Sequence, residues 1–234
     1  MAFHYCAHLT TITVEEANTS YSSVDGILFN KNKTKLVRCP EDKTGAVTVL
    51  DSVTSIGRNA FERCKDIESV TLPANLTSIG ERAFYSSTAI TSITIPTGVT
   101  SIGERAFTDC TNLESITVEE ANTSYASVDG ILFNKDKTEL IACPCGKTGA
   151  FIIPDSVTTI DTLAFYYCMN LTSLTIPAGV TSIGEMAFYD WGSSQTIYIK
   201  GLSAAPSSWD DNNWNEDCYA NIIWNAEASP SAAQ

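Results

Sequence analysis

The chain has 234 residues, of which 44% are hydrophobic and 18% charged, and no apolar run approaches the length that a membrane span requires. We therefore expect an ordered protein without membrane insertion. The net charge of −13, from 27 acidic and 14 basic residues, argues against nucleic acid and anionic membrane surfaces as partners.

A repeat of 23 residues dominates the sequence, and its copies begin at Val53, Leu76, Val99, Val157 and Val180. A second type of segment interrupts the series twice, as residues 18–52 and 122–156, and the two segments have closely similar sequences. Self-similarity at such a period is typical of solenoids, in which each coil buries its apolar side chains against its neighbours.

Each copy of the repeat carries the same apolar positions. An isoleucine column comprises Ile56, Ile79, Ile102, Ile160 and Ile183, and a phenylalanine column, always preceded by alanine, comprises Phe61, Phe84, Phe107, Phe165 and Phe188. The pattern Leu-x-x-Ile-x-Val follows, as in Leu113, Ile116 and Val118, and its last two residues have the spacing of a strand with one buried face. This is the strand signature of a leucine-rich repeat.

A glycine lies before most of the Ala-Phe pairs, at Gly57, Gly80, Gly103 and Gly184. Glycine is favoured where the backbone needs a positive φ, so we expect these residues to form a turn of that kind.

The two interrupting segments predict β-hairpins. Each contains two strand-like runs, residues 26–30 and 34–39 in the first and residues 130–134 and 138–143 in the second. The joints, Asn-Lys-Asn-Lys and Asn-Lys-Asp-Lys, have the composition of hairpin loops. We expect both hairpin modules to project from the solenoid.

The carboxy-terminal segment departs from the repeat. It holds Trp209, Trp214 and Trp224 with acidic residues between them, and the terminal coil of a solenoid needs a cover. We expect residues 203–234 to form a Trp-rich cap and an acidic tail on a solenoid of residues 1–202.

Together these patterns predict an α/β fold class in the form of a β-rich, right-handed leucine-rich repeat solenoid with 23-residue coils, two inserted hairpin modules and a carboxy-terminal cap. The skeleton "LTSIGERAFYSSTAITSITIP" resembles the BspA-like, or Treponema-type, leucine-rich repeat family, and the resemblance covers residues 1–202. It implies a bacterial or protist surface protein that attaches to host or bacterial macromolecules.

The candidate binding surface is a ladder of outward strand residues. Alternation along the strands places on this face Ser69, Thr71, Ser92, Thr94, Ser115, Thr117, Ser173, Thr175, Thr196 and Tyr198. The sheet of a leucine-rich repeat commonly lines the binding side. The alternative is that Ser and Thr simply suit exposed strand positions.

The sequence offers little support for catalysis, metal binding or disulfides. Cys6, Cys64, Cys110 and Cys168 share one repeat position, and a separation of two coils, about 10 Å, is too long for a disulfide. The pair Cys143 and Cys145 lacks further metal ligands, and Lys147 lacks the first glycine of the Gly-x-x-x-x-Gly-Lys run of a phosphate loop. His4 and His8 occupy repeat positions held elsewhere by Thr108 and Asn112.

We therefore expect a non-enzymatic binding or adhesion module, extracellular or at the cell surface, without a cofactor and present as a monomer or as part of a longer chain. Its partner is expected to be a protein or glycan. The main alternative is a passive stalk, and an enzyme is the third. A stalk predicts uniform solvent-facing residues, whereas a binding surface predicts positions that break the repeat.

Overall fold

The computed structural model describes residue 3, residues 6–210 and residues 213–226. The predicted leucine-rich repeat solenoid is confirmed. Within the described ranges its helical content is limited to α1 (Ser207–Asp210). The Ala-Phe turns do not continue into helices because each contains two left-handed residues, such as Arg82 (φ 53°) and Ser86 (φ 55°).

The strands are two to six residues long. In the first half they are β1 (Tyr21–Val24), β2 (Ile27–Asn30), β3 (Lys35–Arg38), β4 (Thr44–Thr48), β5 (Ser55–Ile56), β6 (Asp66–Thr71), β7 (Ser78–Ile79), β8 (Ser92–Ile95), β9 (Ser101–Ile102) and β10 (Ser115–Val118). In the second half they are β11 (Tyr125–Val128), β12 (Ile131–Asn134), β13 (Glu139–Ala142), β14 (Gly149–Ile152), β15 (Thr159–Ile160), β16 (Leu171–Ile176), β17 (Ser182–Ile183), β18 (Thr196–Ile199) and β19 (Asn221–Trp224).

Each coil contributes to two sheets and one stack of turns. The short strands pair in the orders β3-β5-β7-β9 and β13-β15-β17, and the longer strands form the sheets β4-β6, β8-β10 and β14-β16-β18-β19. The Ala-Phe turns stack through backbone hydrogen bonds, from Phe84 N to Ala106 O at 2.8 Å and from Ser86 N to Thr108 O at 3.1 Å. Neighbouring coils are therefore bonded to each other on three sides.

The predicted phenylalanine column forms the centre of the core. The ring of Phe84 stacks on Phe61 at 4.9 Å and on Phe107 at 5.6 Å, and Phe165 stacks on Phe188 at 5.5 Å. All five rings are buried. Because one coil cannot enclose these rings alone, their burial depends on stacking.

The glycines before the Ala-Phe pairs do not have the positive φ that we expected. The left-handed residues lie two positions later, as in Arg82 (φ 53°) and Arg105 (φ 58°). Glycine is required instead by close contact between coils. A Cβ on Gly80 would lie 2.7 Å from Arg58 N, and one on Gly103 would lie 2.3 Å from Glu81 N.

Both modules contain the predicted hairpin, formed by β2 with β3 and by β12 with β13. Each also has a first strand that the sequence analysis missed, β1 or β11, paired antiparallel with the hairpin. The polar sequence of β1, Tyr-Ser-Ser-Val, lacks the apolar alternation that would reveal a strand.

The expectation that the hairpins project from the solenoid is wrong. β3 pairs in parallel with β5, with Leu36 opposite Ile56, and β13 pairs with β15, with Leu140 opposite Ile160. Leu36 and Leu140 are fully buried. The last hairpin strand is thus a solenoid strand, because its apolar residues belong to the same core as the isoleucine column.

The second module lies between two hydrophobic cores. Leu132 packs into the amino-terminal core, whereas Ile131 and Phe133, on the other face of β12, pack into the carboxy-terminal core. The module also takes the free edge of β10, since Ile116 N donates to Gly130 O at 2.8 Å. Both faces of β12 are therefore buried, which explains its uninterrupted apolar sequence.

The cysteine column differs from the predicted one. Cys145 lies beside both Cys110 and Cys168, so three cysteines follow one another in the column. The second module supplies a coil of its own through β13 and β14, and its Cys145 lies between Cys110 and Cys168. All eight cysteines are free thiols.

The carboxy-terminal segment covers the last coil. Trp209 and Trp214 are buried, and Trp214 contacts the ring of Phe188 at 5.8 Å. β19 pairs in parallel with β18, so this segment also extends the sheet. Ile223 of β19 is 44% exposed, because it lies in register with the outward residue Tyr198. Residues 227–234 of the predicted tail lie outside the described residues.

Candidate binding surface

The predicted outward ladder is divided into three groups by the sheets that carry it. Ser69 and Thr71 lie on β6. Ser92 and Thr94 of β8 lie in register with Ser115 and Thr117 of β10. Ser173 and Thr175 of β16 lie in register with Thr196 and Tyr198 of β18. The second module separates the last two groups because it occupies the edge of β10.

The amino-terminal part of the ladder is polar and uniform. Ser69, Thr71, Ser92, Thr94 and Thr117 are exposed, and Ser115 is half-buried. These short side chains offer little contact area to a partner, and interface hot spots are usually large aromatic residues or Arg. This part of the ladder therefore has the regularity expected of a spacer.

The carboxy-terminal part breaks this regularity. The register places Ile152, Thr175, Tyr198 and Ile223 in one row across β14, β16, β18 and β19. Ile152 is 47% and Ile223 is 44% exposed, and Tyr198 is half-buried. We refer to these four residues as the carboxy-terminal row.

Thr175 was expected to be an exposed binding residue but is only 2% exposed. It lies between Ile152 and Tyr198, whose larger side chains flank it. The side chain of Thr175 therefore lies at the bottom of the row. The solvent-facing surface of the row is formed by the neighbouring Ile and Tyr side chains. The alternation pattern could place Thr175 on the outward face, but it could not give the size of its neighbours on other coils.

A tyrosine cluster on the stacked turns was not identified from the sequence. The ring of Tyr166 lies 4.5 Å from that of Tyr167 and stacks on Tyr189 at 5.0 Å. All three tyrosines are half-buried, and Met169 nearby in the chain is 56% exposed. The available signal was the turn "FYYC", which replaces "FERC" of the first half.

Two tyrosines of the cluster, Tyr166 and Tyr189, have a raised pKa. Burial, followed by the effects of Tyr167, Tyr85 and Tyr189, raises the pKa of Tyr166. The carboxylate of Asp217 makes the largest contribution to the raised pKa of Tyr189. At neutral pH the phenols of Tyr166 and Tyr189 therefore carry their protons.

The corresponding turn in the first half contains ion pairs. Arg38 contacts Glu41 at 2.7 Å and Glu62 at 3.5 Å, and its Nη1 donates to Asn59 O at 2.6 Å. Arg38, Glu41 and Glu62 are buried. These contacts stabilise the stacking of the turns, so the two halves use different chemistry at the same repeat position.

A groove of about 620 Å³ lies at the amino-terminal end. Its apolar lining includes Phe3, Ile12, Val14, Leu28 and Val37. Leu28 is the counterpart of Leu132, which packs into the amino-terminal core through the coil before it. The groove thus lies on the face of the first module that is equivalent to the face by which the second module packs on the preceding coil. The repeated sequence of the two modules therefore accounts for its shape.

The residues considered for metal, phosphate and acid–base chemistry have structural contacts or lie apart. Lys147 is paired with Asp129 at 3.0 Å and donates to its backbone carbonyl at 2.6 Å. In the described ranges no three His, Cys, Asp or Glu side chains could hold a metal ion. His8 is exposed, and His4 lies outside those ranges. No described helix is long and apolar enough to cross a membrane.

Comparison with known proteins gives a consistent result. Residues 41–138 and 141–209 match the family described as the BspA type leucine rich repeat region, in six copies. A leucine-rich cell surface protein from Faecalibacterium prausnitzii A2-165 has a similar structure, with a TM-score of 0.65 and 25% identity, over 98% of this chain and 76% of that chain.

A leucine-rich repeat protein from Eubacterium ventriosum is also similar, with a TM-score of 0.57 and 28% identity. The similarity covers 81% of this chain and 56% of that protein, so the present chain spans little more than half of its length. No curated protein matches the chain in sequence.

Proposed function

The chain belongs to the BspA-type leucine-rich repeat family, and on this premise we propose that it is a non-enzymatic, cell-surface module that binds another protein through its carboxy-terminal row. The observation that carries the proposal is the row in which exposed Ile152 and Ile223 and half-buried Tyr198 surround the buried Thr175. Exposed apolar residues that adjoin one another mark interaction surfaces more often than scattered ones do.

A protein partner is favoured over a glycan by the composition of the row. Its two exposed side chains, Ile152 and Ile223, are aliphatic, and burying them would remove apolar area from water. Tyr198 adds an aromatic ring with a polar hydroxyl, the kind of residue that anchors protein interfaces. A module at the cell surface is accessible to proteins of the host and of other bacteria, so we propose a partner from one of these two sources.

The uniform amino-terminal ladder supports a second role within the same chain. Thr94 and Thr117 repeat the same exposed residue on neighbouring coils, as a spacer predicts. We propose that the first half of the solenoid holds the carboxy-terminal row away from the point at which the protein is attached to the cell surface. The whole chain would be a passive stalk if the row bound nothing.

The test compares the chain with a variant whose row matches the amino-terminal ladder, Ile152→Thr, Tyr198→Thr and Ile223→Thr together. Binding to a panel of purified extracellular matrix proteins and bacterial surface proteins is measured by biolayer interferometry. We expect a partner of the parent chain to bind this variant at least about tenfold more weakly, which corresponds to about 1.4 kcal/mol.

Two control variants distinguish the outcomes. Thr94→Ala alters the amino-terminal ladder and should leave binding unchanged, and Tyr167→Ala tests the tyrosine cluster. Loss of binding in Tyr167→Ala alone would place the interface on the stacked turns and contradict the proposal. Absence of any specific partner across the panel would favour the stalk. Circular dichroism melts confirm that each variant remains folded.

A further inference from the structure

Two pairs of buried cysteines occupy equivalent places in the two halves of the solenoid. Cys39 follows β3 and Cys143 follows β13, and the backbone N–H of each donates to the alanine of the next turn, Ala60 or Ala164, at 2.7 Å. The column cysteine of that turn, Cys64 or Cys168, lies beside it. All four side chains are at most 6% exposed.

The contacts within the two pairs are alike. The Cys64 thiol donates to Pro40 O at 3.4 Å and lies 3.9 Å from Cys39 O. The Cys168 thiol donates to Cys143 O at 3.6 Å and lies 3.7 Å from Pro144 O. In each pair the module cysteine is also among the groups that raise the pKa of the column thiol. The same juxtaposition thus arises twice, from two separate stretches of sequence.

The geometry points to two disulfide sites, and we infer that Cys39 bonds to Cys64 and Cys143 bonds to Cys168 when the chain folds in the presence of a small-molecule disulfide. Each bond would join a module to the coil that follows it and would span 25 residues. These links connect a module cysteine with a column cysteine, so they are distinct from the column-to-column bonds that the coil spacing argues against.

Cys145 is the competing partner in the second half. It contacts Cys168 as well as Cys110, whereas its counterpart in the first half is Glu41, which cannot form a disulfide. The first pair therefore has no such competitor in its turn. We assign Cys143 to Cys168 because the first half shows the same pair without an alternative.

The reaction is a thiol–disulfide exchange with a small disulfide such as oxidised glutathione. The thiolate of one cysteine attacks a glutathione sulfur, and one reduced glutathione leaves. The second cysteine, after losing its proton, attacks the mixed disulfide and releases another reduced glutathione. Two protein thiols are oxidised to one disulfide, and one oxidised glutathione is reduced to two thiols.

Burial decides when this reaction can occur. The hydrogen bond with Cys39, together with burial, raises the pKa of the Cys64 thiol, and burial raises that of Cys168. Since the thiolate is the nucleophile, exchange in the folded protein requires the coils to open. We expect the bonds to form while the chain folds and to be protected from reduction afterwards.

The inference does not depend on the binding role of the carboxy-terminal row, although disulfides persist in oxidising surroundings such as the cell surface. The experiment refolds the full chain from denaturant with reduced and oxidised glutathione. Remaining thiols are alkylated with N-ethylmaleimide in denaturant and counted by mass spectrometry, and a non-reduced digest identifies linked peptides. We expect alkylation to fall from all eight cysteines to four, with the two assigned links.

Two variants test the assignment. In Cys39→Ser the first link should disappear and Cys64 should become alkylated, while the second link remains. In Cys145→Ser both links should remain. Alkylation of all eight thiols in the parent chain, or a link from Cys145 to Cys168, would overturn the inference. The peptide map of the parent chain alone decides between these outcomes if a variant fails to refold.

Discussion

The indole Nε1 of Trp191 donates a hydrogen bond to the backbone carbonyl of Phe165, one coil earlier, at 3.0 Å. Ser87 makes the same bond to Phe61 O at 2.5 Å, and Cys110 makes it to Phe84 O at 3.0 Å. Residues of three different types therefore satisfy the same carbonyl position. This position of the cysteine column requires a buried hydrogen-bond donor rather than a particular side chain.

This relationship predicts different effects for two tryptophan substitutions. Trp191→Phe removes a buried donor, whereas Trp209→Phe removes an indole N–H that has no partner in the part of the chain that the structure describes. Both replacements lose similar volume. We expect Trp191→Phe to lower the free energy of unfolding by about 1 kcal/mol more than Trp209→Phe does. Equal denaturant midpoints for the two variants would contradict the role of the donor.

The repeating core could be predicted from sequence because each position is sampled several times. Phe61, Phe84 and Phe107 align at one period, and the structure stacks their rings. The carboxy-terminal row could not be predicted in this way. Its surface depends on Ile152 and Ile223, which occupy irregular coils, and on register between strands far apart in the chain.

The modules show a second limit of sequence analysis. The alternation that reveals a half-buried strand is absent from β12, since Leu132 and Phe133 are both buried against different cores. Hairpin loops were recognisable from their local composition. β13 joins the parallel sheet by pairing with β15. The local amino-acid composition carries no information about this pairing.

The contact between coils at Gly103 predicts a severe effect of adding one methyl group. A Cβ at this position would lie 2.3 Å from Glu81 N and 2.7 Å from Glu81 Cα, so the backbones must separate. We expect Gly103→Ala to lower the free energy of unfolding by about 3 kcal/mol. Gly192→Ala is the matched control, because no atom of the described residues lies within 4 Å of its added Cβ. Similar chemical denaturation curves for the two variants would show that the coils can move apart.

Two carboxyl groups near the second module predict that the free energy of unfolding increases on mild acidification. Burial, with a further contribution from Glu104, raises the pKa of Asp161, and burial followed by the charge of Asp161 raises that of Glu139. A raised carboxyl pKa means that the folded state binds the proton more tightly than the unfolded state. These groups therefore destabilise the fold at neutral pH, and the penalty is relieved as the pH falls through their raised pKa values.

Asp161→Asn should remove part of this dependence. The amide can still accept the hydrogen bond that Thr162 N donates to Oδ1 at 2.8 Å, but it carries no charge. We expect a higher urea midpoint than that of the parent chain at pH 7 and a smaller gain between pH 7 and pH 5. The exposed Asp155→Asn serves as the control for a change in net charge. A lower midpoint for Asp161→Asn at pH 7 would indicate that its charge stabilises the fold.

The end of the solenoid provides the last prediction. Trp214 contacts Phe188, Trp209 packs on Trp214, and β19 pairs with the edge of β18. Removing the chain after Gly201 would expose Phe188 and leave that edge unpaired, a combination that promotes association between chains. We expect the truncated protein to aggregate or to lose its cooperative melt, as measured by light scattering and circular dichroism. Trp209→Ala keeps β19 and should remain monomeric while losing about 3 to 5 kcal/mol of stability. A truncated chain that stays monomeric and melts like the parent would show that the coils beneath are stable without this cover.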